Sequence, residues 1–357
     1  MKKLLSFPKT VWNNRQNRTN LPRFLTYIVT FTCNARCIMC DSWKKPSPDD
    51  LTIEEIEGIF KQLPDMDMVR LTGGEPFVRR DMLHIAHLAQ KELKPLMLHV
   101  TTNGFLTERI VEFCEKRDKK TPLSMLVSVD GLEAKHNYVR GKDDAWSKVL
   151  ATLEALAPRQ KELRLSLSAN QTIVDADGAE QYRKLHDFLA PMGVRNNFVM
   201  AYDVSATYSL EEETEVAPTQ IGEFATFGEF KIEQIEKLLD EVEKDLKNYP
   251  ALDRAAKSYY VQGIRNRLFK KNGFPNPKCV ALNSHIRLMP NGKIPTCQFN
   301  TRTIGDLREK TFKEIWFDEK AEAQRNWVRR CPGCWAECET LPNAVYTGDI
   351  LRAVKKL

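Results

Sequence analysis

The chain has 357 residues, enough for one large α/β domain and a smaller second one. Its formal net charge of +6, from 54 basic and 48 acidic residues, is mild and gives no reason to expect a nucleic-acid partner. No stretch approaches the about 20 apolar residues of a transmembrane helix, and the apolar part of residues 1–7 is too short for a signal peptide. We therefore expect a cytoplasmic protein.

Short apolar runs alternate with longer amphipathic stretches between about residues 24 and 202. The runs are rich in Val, Leu, Ile and Thr and are bounded by turn residues, which predicts strands. They are Leu25–Phe31, Met68–Leu71, Leu96–Thr101, Leu123–Val129, Leu163–Ala169 and Asn197–Ala201. The stretches between them predict helices, the first of which begins with a capping box of Thr52 and Glu55. They are Ile53–Gln62, Asp81–Lys91, Glu108–Arg117, Ala145–Leu156 and Ala179–Leu189.

This alternation predicts a parallel sheet with helices outside it. The strand units are too few for a closed TIM barrel, so the expected fold is α/β, a partial TIM barrel (β/α)6. The expected domains are an N-terminal extension (1–23), the barrel (24–210), a charged helical bridge (211–275), a small cysteine-rich module (276–345) and a C-terminal tail (346–357). In the bridge, helices are predicted over Lys231–Lys247 and Asp253–Lys271.

Three of the nine cysteines, Cys33, Cys37 and Cys40, have the spacing Cys-x3-Cys-x2-Cys. In a reducing compartment, grouped cysteines bind metal or do chemistry more often than they form disulfides. This group follows the first predicted strand, at the end of a barrel strand where active sites are built. Three thiolates can hold three irons of a four-iron cluster and leave the fourth open. A structural zinc site normally takes four ligands, and this group has no local fourth.

Polar and glycine residues follow the next three predicted strands. Glycines permit close backbone approach to a ligand, and a carboxylate there can bind a cation. Each of these positions also fits a capped turn or a solvated surface. In chain order the candidate ligand-binding residues are Gly73, Gly74, Glu75, Pro76, Asn103, Ser128, Asp130 and Arg140.

Five more cysteines lie near the C-terminus: Cys279, Cys297, Cys331, Cys334 and Cys338. A hairpin turn is predicted at Met289–Gly292, since Asn-Gly favours a tight type I′ connection, and it would bring the first two cysteines to one end. On the residues alone, a zinc knuckle of four or five cysteines is the alternative. Cys114 lies on an apolar helix face and is expected to be a small buried hydrophobe.

The first cysteine group, followed in order by Gly-Gly-Glu-Pro and polar strand ends, resembles the radical S-adenosylmethionine (SAM) superfamily. Met39 departs from the aromatic residue that members often have before the third cysteine. The resemblance implies that Cys33, Cys37 and Cys40 hold a [4Fe–4S] cluster that reductively cleaves SAM to a 5′-deoxyadenosyl radical. It also implies that Gly73–Pro76 hold the SAM amino group, and that Asn103, Ser128, Asp130 and Arg140 lie near its ribose and carboxylate.

The C-terminal cysteines, with Gly292 spaced between the first two, resemble the SPASM/twitch extension of this superfamily, which carries auxiliary iron–sulfur clusters. Five cysteines are too few for a full SPASM domain, which implies the shorter twitch form and one auxiliary [4Fe–4S] cluster. Its ligands would be Cys279, Cys297 and Cys331, with either Cys334 or Cys338 as the fourth. The expected electron donor is reduced flavodoxin or ferredoxin.

The auxiliary cluster suggests the reaction class, because it could take an electron from a substrate radical and give a net oxidation. This resembles the twitch-type dehydrogenases of sugar alcohols and predicts a small-molecule substrate. Peptide modification is an alternative, weakened by the short stretch before the first strand, and tetrapyrrole or lipid modification stays open. A non-catalytic zinc-binding interaction protein is the alternative from another class. Tyr202 and Asp203, after the sixth strand, and Asn170, after the fifth, are candidates to contact substrate or move a proton.

Overall fold

The computed structural model describes residues 2–201, 206–211, 213–217, 230–247, 249–269 and 277–354. Its strands are β1 (Phe24–Ile28), β2 (Met68–Thr72), β3 (Met97–Thr102), β4 (Leu123–Ser128), β5 (Leu165–Ile173), β6 (Arg195–Met200), β7 (His285–Leu288), β8 (Lys293–Pro295) and β9 (Thr303–Asp306). Its helices are α1 (Lys2–Arg15), α2 (Ile53–Gln62), α3 (Met82–Leu88), α4 (Thr107–Lys116), α5 (Glu133–Arg140), α6 (Ala145–Leu156), α7 (Ala176–Leu189), α8 (Ile232–Leu246), α9 (Ala251–Leu268), α10 (Phe312–Trp316), α11 (Glu319–Arg330), α12 (Glu337–Tyr346) and α13 (Ile350–Val354).

A seven-stranded parallel sheet in the order β6-β5-β4-β3-β2-β1-β7 forms the centre of the molecule. Strands β1 to β6 alternate with helices, which confirms the predicted α/β partial barrel. The seventh strand was not predicted. It comes from the C-terminal module and pairs with β1, with His285 opposite Phe24. This strand has only four residues and is followed directly by a turn instead of a helix. Its sequence therefore lacks the strand–helix pattern that predicted the other six.

Side chains alternate between the two faces of this sheet. In β1 and β2, Leu25, Tyr27, Val69 and Leu71 belong to the main apolar core, which is covered by the outer helices. The residue between each pair, such as Arg70, lines an internal cavity. This alternation follows from the two-residue period of a strand. The sheet therefore has an apolar outer face and a polar inner face.

Several predicted boundaries in the barrel and bridge were wrong by a few residues, including the end of β1, which is Ile28 instead of Phe31, and the start of α7, which is Ala176 instead of Ala179. Strand β5 extends through Ile173, because Asn170 and Thr172 face the cavity instead of forming a turn. Helix α9 begins and ends before the predicted Asp253–Lys271. Helix α12 crosses the predicted boundary at residues 345 and 346, and α13 follows it, so the C-terminal tail is helical through Val354.

The turn at Met289–Gly292 is present, but it is not the predicted type I′ turn. The Gly292 N–H donates to the Met289 carbonyl at 3.1 Å. Asn291 has a negative φ, whereas Gly292 has a φ of +87°. Pro290, whose ring fixes a negative φ, and Asn291 therefore take the central positions, and glycine takes the left-handed position after them. The flanking strands pair with different partners, β7 with β1 and β8 with β9.

In the described part of the chain, no helix is long and apolar enough to span a membrane.

Candidate active site

Cys33, Cys37 and Cys40 lie on the loop that follows β1, at the carboxyl edge of the sheet. The Cys40 N–H donates to the Cys37 carbonyl at 3.3 Å, so a tight turn joins the last two cysteines. The loop is fastened to the end of α5, where the Arg36 N–H donates to the Arg140 carbonyl at 2.9 Å. The structure therefore fixes the backbone of this loop without any disulfide, since all nine cysteines are free.

Burial and hydrogen-bond donors act in opposite directions on the thiols of this loop. Burial raises the pKa of Cys33 to about 12 and that of Cys40 to about 11. Each of these two sulfurs accepts a backbone N–H at 3.5 Å, and the Arg140 guanidinium donates to Cys37 Sγ at the same distance. Such donors stabilise a thiolate once it forms. Metal binding at this loop would therefore release protons.

Gly73 and Gly74 bring the turn after β2 into contact with the start of the cysteine loop. A Cβ on Gly73 would lie closer than 3.0 Å to the Thr30 carbonyl oxygen, and one on Gly74 equally close to that of Phe31. The Gly74 N–H donates to the Thr30 carbonyl at 2.8 Å. Only glycine permits this approach. Both glycines line the cavity.

Glu75 lies behind the cavity wall rather than in it. Its carboxylate is 1% exposed and accepts hydrogen bonds from Thr102 Oγ1 at 2.7 Å, the Asn103 N–H at 2.6 Å and the Phe77 N–H at 3.1 Å. Burial raises its pKa to about 7. Glu75 therefore fastens the glycine turn to the end of β3. Pro76, which is buried beside it, is likewise absent from the described cavity lining.

Asn103 and Ser128 line the cavity from the ends of β3 and β4, and Asn170 lines it from within β5. Asn103 Nδ2 donates to Asn34 Oδ1 at 2.7 Å and lies 4.0 Å from Cys33 Sγ. Asn170 Oδ1 is buried and has no hydrogen-bond partner in the described part of the chain. Asn170 Oδ1 is thus an acceptor that a ligand could use, whereas the Asn103 side chain already bonds to Asn34 and to the Phe105 N–H.

Asp130 and Arg140 form a buried ion pair. Arg140 Nε lies 2.5 Å from Asp130 Oδ2, and Arg140 Nη2 donates to Oδ1 at 3.0 Å. The Thr172 N–H donates to the same carboxylate at 3.0 Å. Arg140 lines the cavity, whereas Asp130 is fully buried and does not. Asp130 therefore orients the guanidinium, which reaches Cys37.

The cavity has a volume of about 770 Å³ and extends from the cysteine loop to the first residues of β2 and β3. Part of its wall comes from the cysteine loop and part from the C-terminal module. The module contributes Arg287, Gln298, Ala336, Glu337, Cys338 and Leu341. The cavity thus touches both predicted cysteine sites.

The five C-terminal cysteines pack against one apolar cluster that includes Phe299 and Trp327. Burial raises the pKa of Cys297 to about 12 and that of Cys338 to about 11. The Asn300 N–H donates to Cys297 Sγ at 3.4 Å, as expected for a sulfur that becomes a metal ligand. The fold therefore brings together cysteines that are up to 59 positions apart in the chain, from 279 to 338.

Cys338 differs from the other four. It is the member of this group that appears in the described cavity lining. Its Sγ donates to Gln298 Oε1 at 2.7 Å, and the Arg287 guanidinium lies 4.0 Å from the sulfur. Cys338 thus faces the cavity, on the boundary between the module and the barrel.

Glu339 fastens this boundary to the sheet. It accepts from Arg287 Nη2 at 2.7 Å and pairs with His285 Nδ1 at 3.0 Å, while His285 Nε2 lies 2.9 Å from Thr26 Oγ1. Burial opposes its charge, but His285 and Arg287 hold the pKa of Glu339 below its ordinary value. One buried network therefore joins α12, β7 and β1.

The structure also shows a cavity residue that sequence reasoning missed. Tyr208 ends a 3-10 turn, Ala206–Tyr208, lines the cavity and packs edge-on against Phe31 at 6.5 Å. Burial raises its pKa to about 12, and the charges of Cys40 and Cys338 both act on it. It follows no predicted strand, so no pattern pointed to it. The predicted candidates Tyr202 and Asp203 lie outside the described residues.

Both cysteine groups have the donor chemistry of iron–sulfur sites. They offer several buried thiols, with N–H donors directed at sulfur. Over the described ranges, no three Cys, His, Asp or Glu side chains approach closely enough to enclose a single metal ion.

Comparison with known proteins assigns both regions. The radical SAM superfamily matches residues 27–189, and the SPASM iron–sulfur cluster-binding domain matches residues 279–338. A GTP 3′,8-cyclase of Aquifex aeolicus is 28% identical over 84% of this chain and 90% of its own length. An AdoMet-dependent heme synthase of Methanosarcina barkeri is 26% identical over 86% of this chain and 85% of its own.

Among solved structures, native anSMEcpe with bound AdoMet has the same fold, with a TM-score of 0.60 at 15% identity, over 94% of this chain and 96% of the other. The two matched domains imply SAM, a [4Fe–4S] cluster and auxiliary [4Fe–4S] clusters as cofactors. The chain is a member of the radical SAM superfamily with a SPASM domain at its C-terminal end.

Proposed function

We propose that this protein abstracts hydrogen from a small polar molecule and oxidises it by two electrons in total. The observation that carries the proposal is the cavity whose wall includes the cysteine loop, with Cys37, and the module, with Cys338. A substrate there would lie between the site that starts the reaction and a site that can accept an electron.

The residues divide into two cofactor sites. Cys33, Cys37 and Cys40 would hold the first cluster. Cys279, Cys297 and Cys331 would hold one auxiliary cluster with Cys334 as the fourth ligand, and Cys338, whose Sγ donates to Gln298 Oε1 at 2.7 Å, would stay free. When bound, SAM and the first cluster supply the 5′-deoxyadenosyl radical, and the fully ligated auxiliary cluster supplies an electron acceptor.

Residues at the strand ends would position SAM and the substrate. Asn103, Ser128 and Arg140, which line the cavity, would contact the polar groups of SAM, and the backbone of Gly73 and Gly74 would allow its close approach. Burial keeps Tyr208 protonated, which suits it to donate a hydrogen bond to substrate. Tyr202 and Asp203 remain our candidates to accept the proton that leaves the substrate.

The two curated relatives are named for different reactions, so neither name identifies the substrate. The cavity is a better guide to the substrate, because the strand side chains that the inner face of the sheet contributes to it are largely polar. The hydroxyl, amide and guanidinium groups among these side chains favour a substrate that forms hydrogen bonds over a lipid. Peptide and tetrapyrrole modification are the alternatives that the product of the reaction would reveal.

The assignment of the two cluster sites is tested by changing one cysteine in each. After anaerobic reconstitution, wild type should hold about eight irons, and Cys37→Ala and Cys297→Ala about four each. Cys37→Ala should form no 5′-deoxyadenosine from SAM, while Cys297→Ala should still form it but fail to turn over. Cys114→Ala, outside both groups, is the matched control. Normal turnover by either site variant, or zinc in place of iron, would contradict the assignment.

The oxidation is tested on the product. Fractions of a metabolite extract are screened for those that stimulate 5′-deoxyadenosine formation, and the masses of the consumed and formed compounds are compared. We expect a product lighter than its substrate by the mass of a pair of hydrogen atoms. A product isomeric with the substrate would refute the oxidation and leave the hydrogen abstraction intact.

A further inference from the structure

One layer of side chains inside the barrel is polar across neighbouring strands. The strand pairings place each member opposite the next, and every member lines the cavity. Such layers are usually filled by branched apolar side chains. In order around the barrel, the layer is Arg287, Thr26, Arg70, His99, Ser124 and Ser166.

The charges around this part of the cavity do not balance. Besides Arg140, which pairs with Asp130, four cations line the cavity, and three of them have carboxylate partners. The pairs are Lys257 with Glu337 at 2.8 Å, Arg287 with Glu339 at 2.7 Å, and Arg195 with Asp253. In the parts of the chain that the structure describes, no carboxylate lies within ion-pair distance of the fourth, Arg70.

The Arg70 guanidinium has few partners of any kind. Its Nε is buried without a hydrogen bond in the described structure, and its Nη1 donates only to the Cys338 carbonyl, at 3.4 Å. It also lies 5.2 Å from the ring centre of Phe24. Arg70 is half-buried, and a cation in that position without a carboxylate partner gains free energy when an anion binds to it.

Neighbouring groups in the layer can add donors. Arg287 is only 4% exposed, and its Nε is likewise buried without a hydrogen-bond partner among the described residues. Burial, reinforced by the charge of Arg70, lowers the pKa of His99 well below 6.5. His99 is therefore neutral, and it can donate one hydrogen bond without adding a charge.

From this unmatched guanidinium we infer that the layer binds an anionic oxygen group of the substrate, a carboxylate or a phosphate, with Arg70 as its main ligand. Arg287 Nε and the N–H of His99, whose present hydroxyl contacts are long at 3.3 and 3.4 Å, would supply further donors. A planar guanidinium suits such groups because its N–H fork matches paired oxygens. This inference rests on the proposed function and adds the chemical class of the substrate.

The position of the layer also limits the size of the substrate. Arg70 and Gly73 are three positions apart along β2 and the turn that follows it, roughly 10 Å at the rise of an extended strand. A molecule anchored at Arg70 must present its reacting carbon near the glycine turn. The anionic group and that carbon should therefore lie within roughly that distance of each other.

The test is anion binding by the reconstituted, SAM-bound protein. The thermal unfolding midpoint is measured against increasing inorganic phosphate and, separately, acetate, with chloride at matched ionic strength as the reference. Wild type should show a saturable rise with at least one of the two oxyanions. Phosphate alone would indicate a phosphate ester, acetate alone a carboxylate, and both a site that accepts either group.

Two variants at one position and a matched control complete the test. Arg70→Met should weaken half-saturation by roughly tenfold or more, since charged hydrogen bonds are lost. Arg70→Lys keeps the charge without the fork and should fall between Arg70→Met and wild type. Arg80→Met, which changes an exposed arginine outside the cavity, should bind as wild type does.

No saturable rise in wild type with either anion, or an Arg70→Met variant that binds like wild type, would overturn the inference. If Arg70→Met does not fold, Arg70→Lys decides the matter by the same criterion. Wild type that cleaves SAM and holds both clusters but binds neither anion would refute this inference and leave the proposed function standing.

Discussion

The carboxyl group of Glu75 shows how one buried side chain can couple two strand ends to pH. It accepts hydrogen bonds from Thr102, Asn103 and Phe77, which favour the ionised form. Complete burial acts in the opposite direction and is the larger influence, so the pKa rises from 4.5 to about 7. The junction between the glycine turn and β3 is therefore most stable when this group is protonated.

This predicts a pH dependence of stability. Because the pKa is raised on folding, the stabilisation is complete below about 4.5 and is lost as the pH rises through about 7. Relative to Glu75→Gln, which stays neutral, wild type should lose up to roughly 3 kcal/mol over this range. Anaerobic urea unfolding at pH 5 and pH 7.5 measures it, with the exposed Glu54→Gln as control. A difference between wild type and Glu75→Gln that does not change with pH would contradict the prediction.

At the scale of single residues, the sequence predicted which residue types form the candidate site better than it predicted the direction of their side chains. The three cysteines of the loop were recognisable because their spacing is local. The sequence did not show that Glu75 would lie behind the cavity wall, because the direction of its side chain depends on the geometry of the turn. Arg70 and His99 occupy alternate strand positions, which in sequence fit any half-buried strand. Only the assembled sheet shows that these positions face a cavity.

At the scale of elements, the site depends on the contact between the turn after β2 and the loop after β1. The two segments are 44 positions apart at the hydrogen bond from the Gly74 N–H to the Thr30 carbonyl. Gly74 lies against backbone carbonyls, which cannot rotate away as a side chain can. The position of the cysteine loop thus depends on the absence of a side chain at Gly74.

We therefore expect Gly74→Ala to displace the cysteine loop. The protein should lose most of the iron of the first site after reconstitution, while the auxiliary site keeps about four irons. Gly58→Ala is the matched control, because nothing lies within 4 Å of the added methyl group on α2. That control should be more stable by about 0.5–1 kcal/mol, as alanine is preferred in helices. Full iron content in Gly74→Ala would contradict the expected displacement.

The elements that were predicted correctly are those with long, regular patterns. The alternating units of the barrel have enough residues to show period and boundary signals. The short strand β7 and the turn around Pro290 do not, because their structure depends on the partner that each strand finds. The sequence therefore indicated a partial barrel and a separate module, but not the strand that joins them.

At the scale of the whole molecule, Glu339 connects the module to the barrel. It pairs with His285 and Arg287 on β7, and its charge acts on the C-terminal thiols, raising the pKa of Cys297 after the larger effect of burial. A buried negative charge beside a cluster disfavours the addition of an electron. One carboxylate thus contributes to both the assembly of the molecule and the electronic properties of the auxiliary site.

Glu339→Gln should change both properties. Loss of the charge should raise the reduction potential of the auxiliary cluster, and Arg287, left without its partner, should destabilise the protein by about 3–5 kcal/mol. A redox titration followed by electron paramagnetic resonance measures the first, and urea unfolding the second. Glu319→Gln, on the exposed face of α11, is the control. An unchanged potential in Glu339→Gln would show that the carboxylate has no electronic role.

The strands of the sheet are not made in the order in which they pair. The ribosome synthesises β1 first, whereas its outer neighbour β7 follows only after β2 to β6. Residues 29–284 separate the two. At roughly 5–20 residues per second, a ribosome needs tens of seconds to add them. Throughout that interval the outer edge of β1 presents unpaired backbone groups, which are a template for pairing with another chain. The nascent protein is therefore open to misassembly until His285–Leu288 leaves the ribosome and covers that edge.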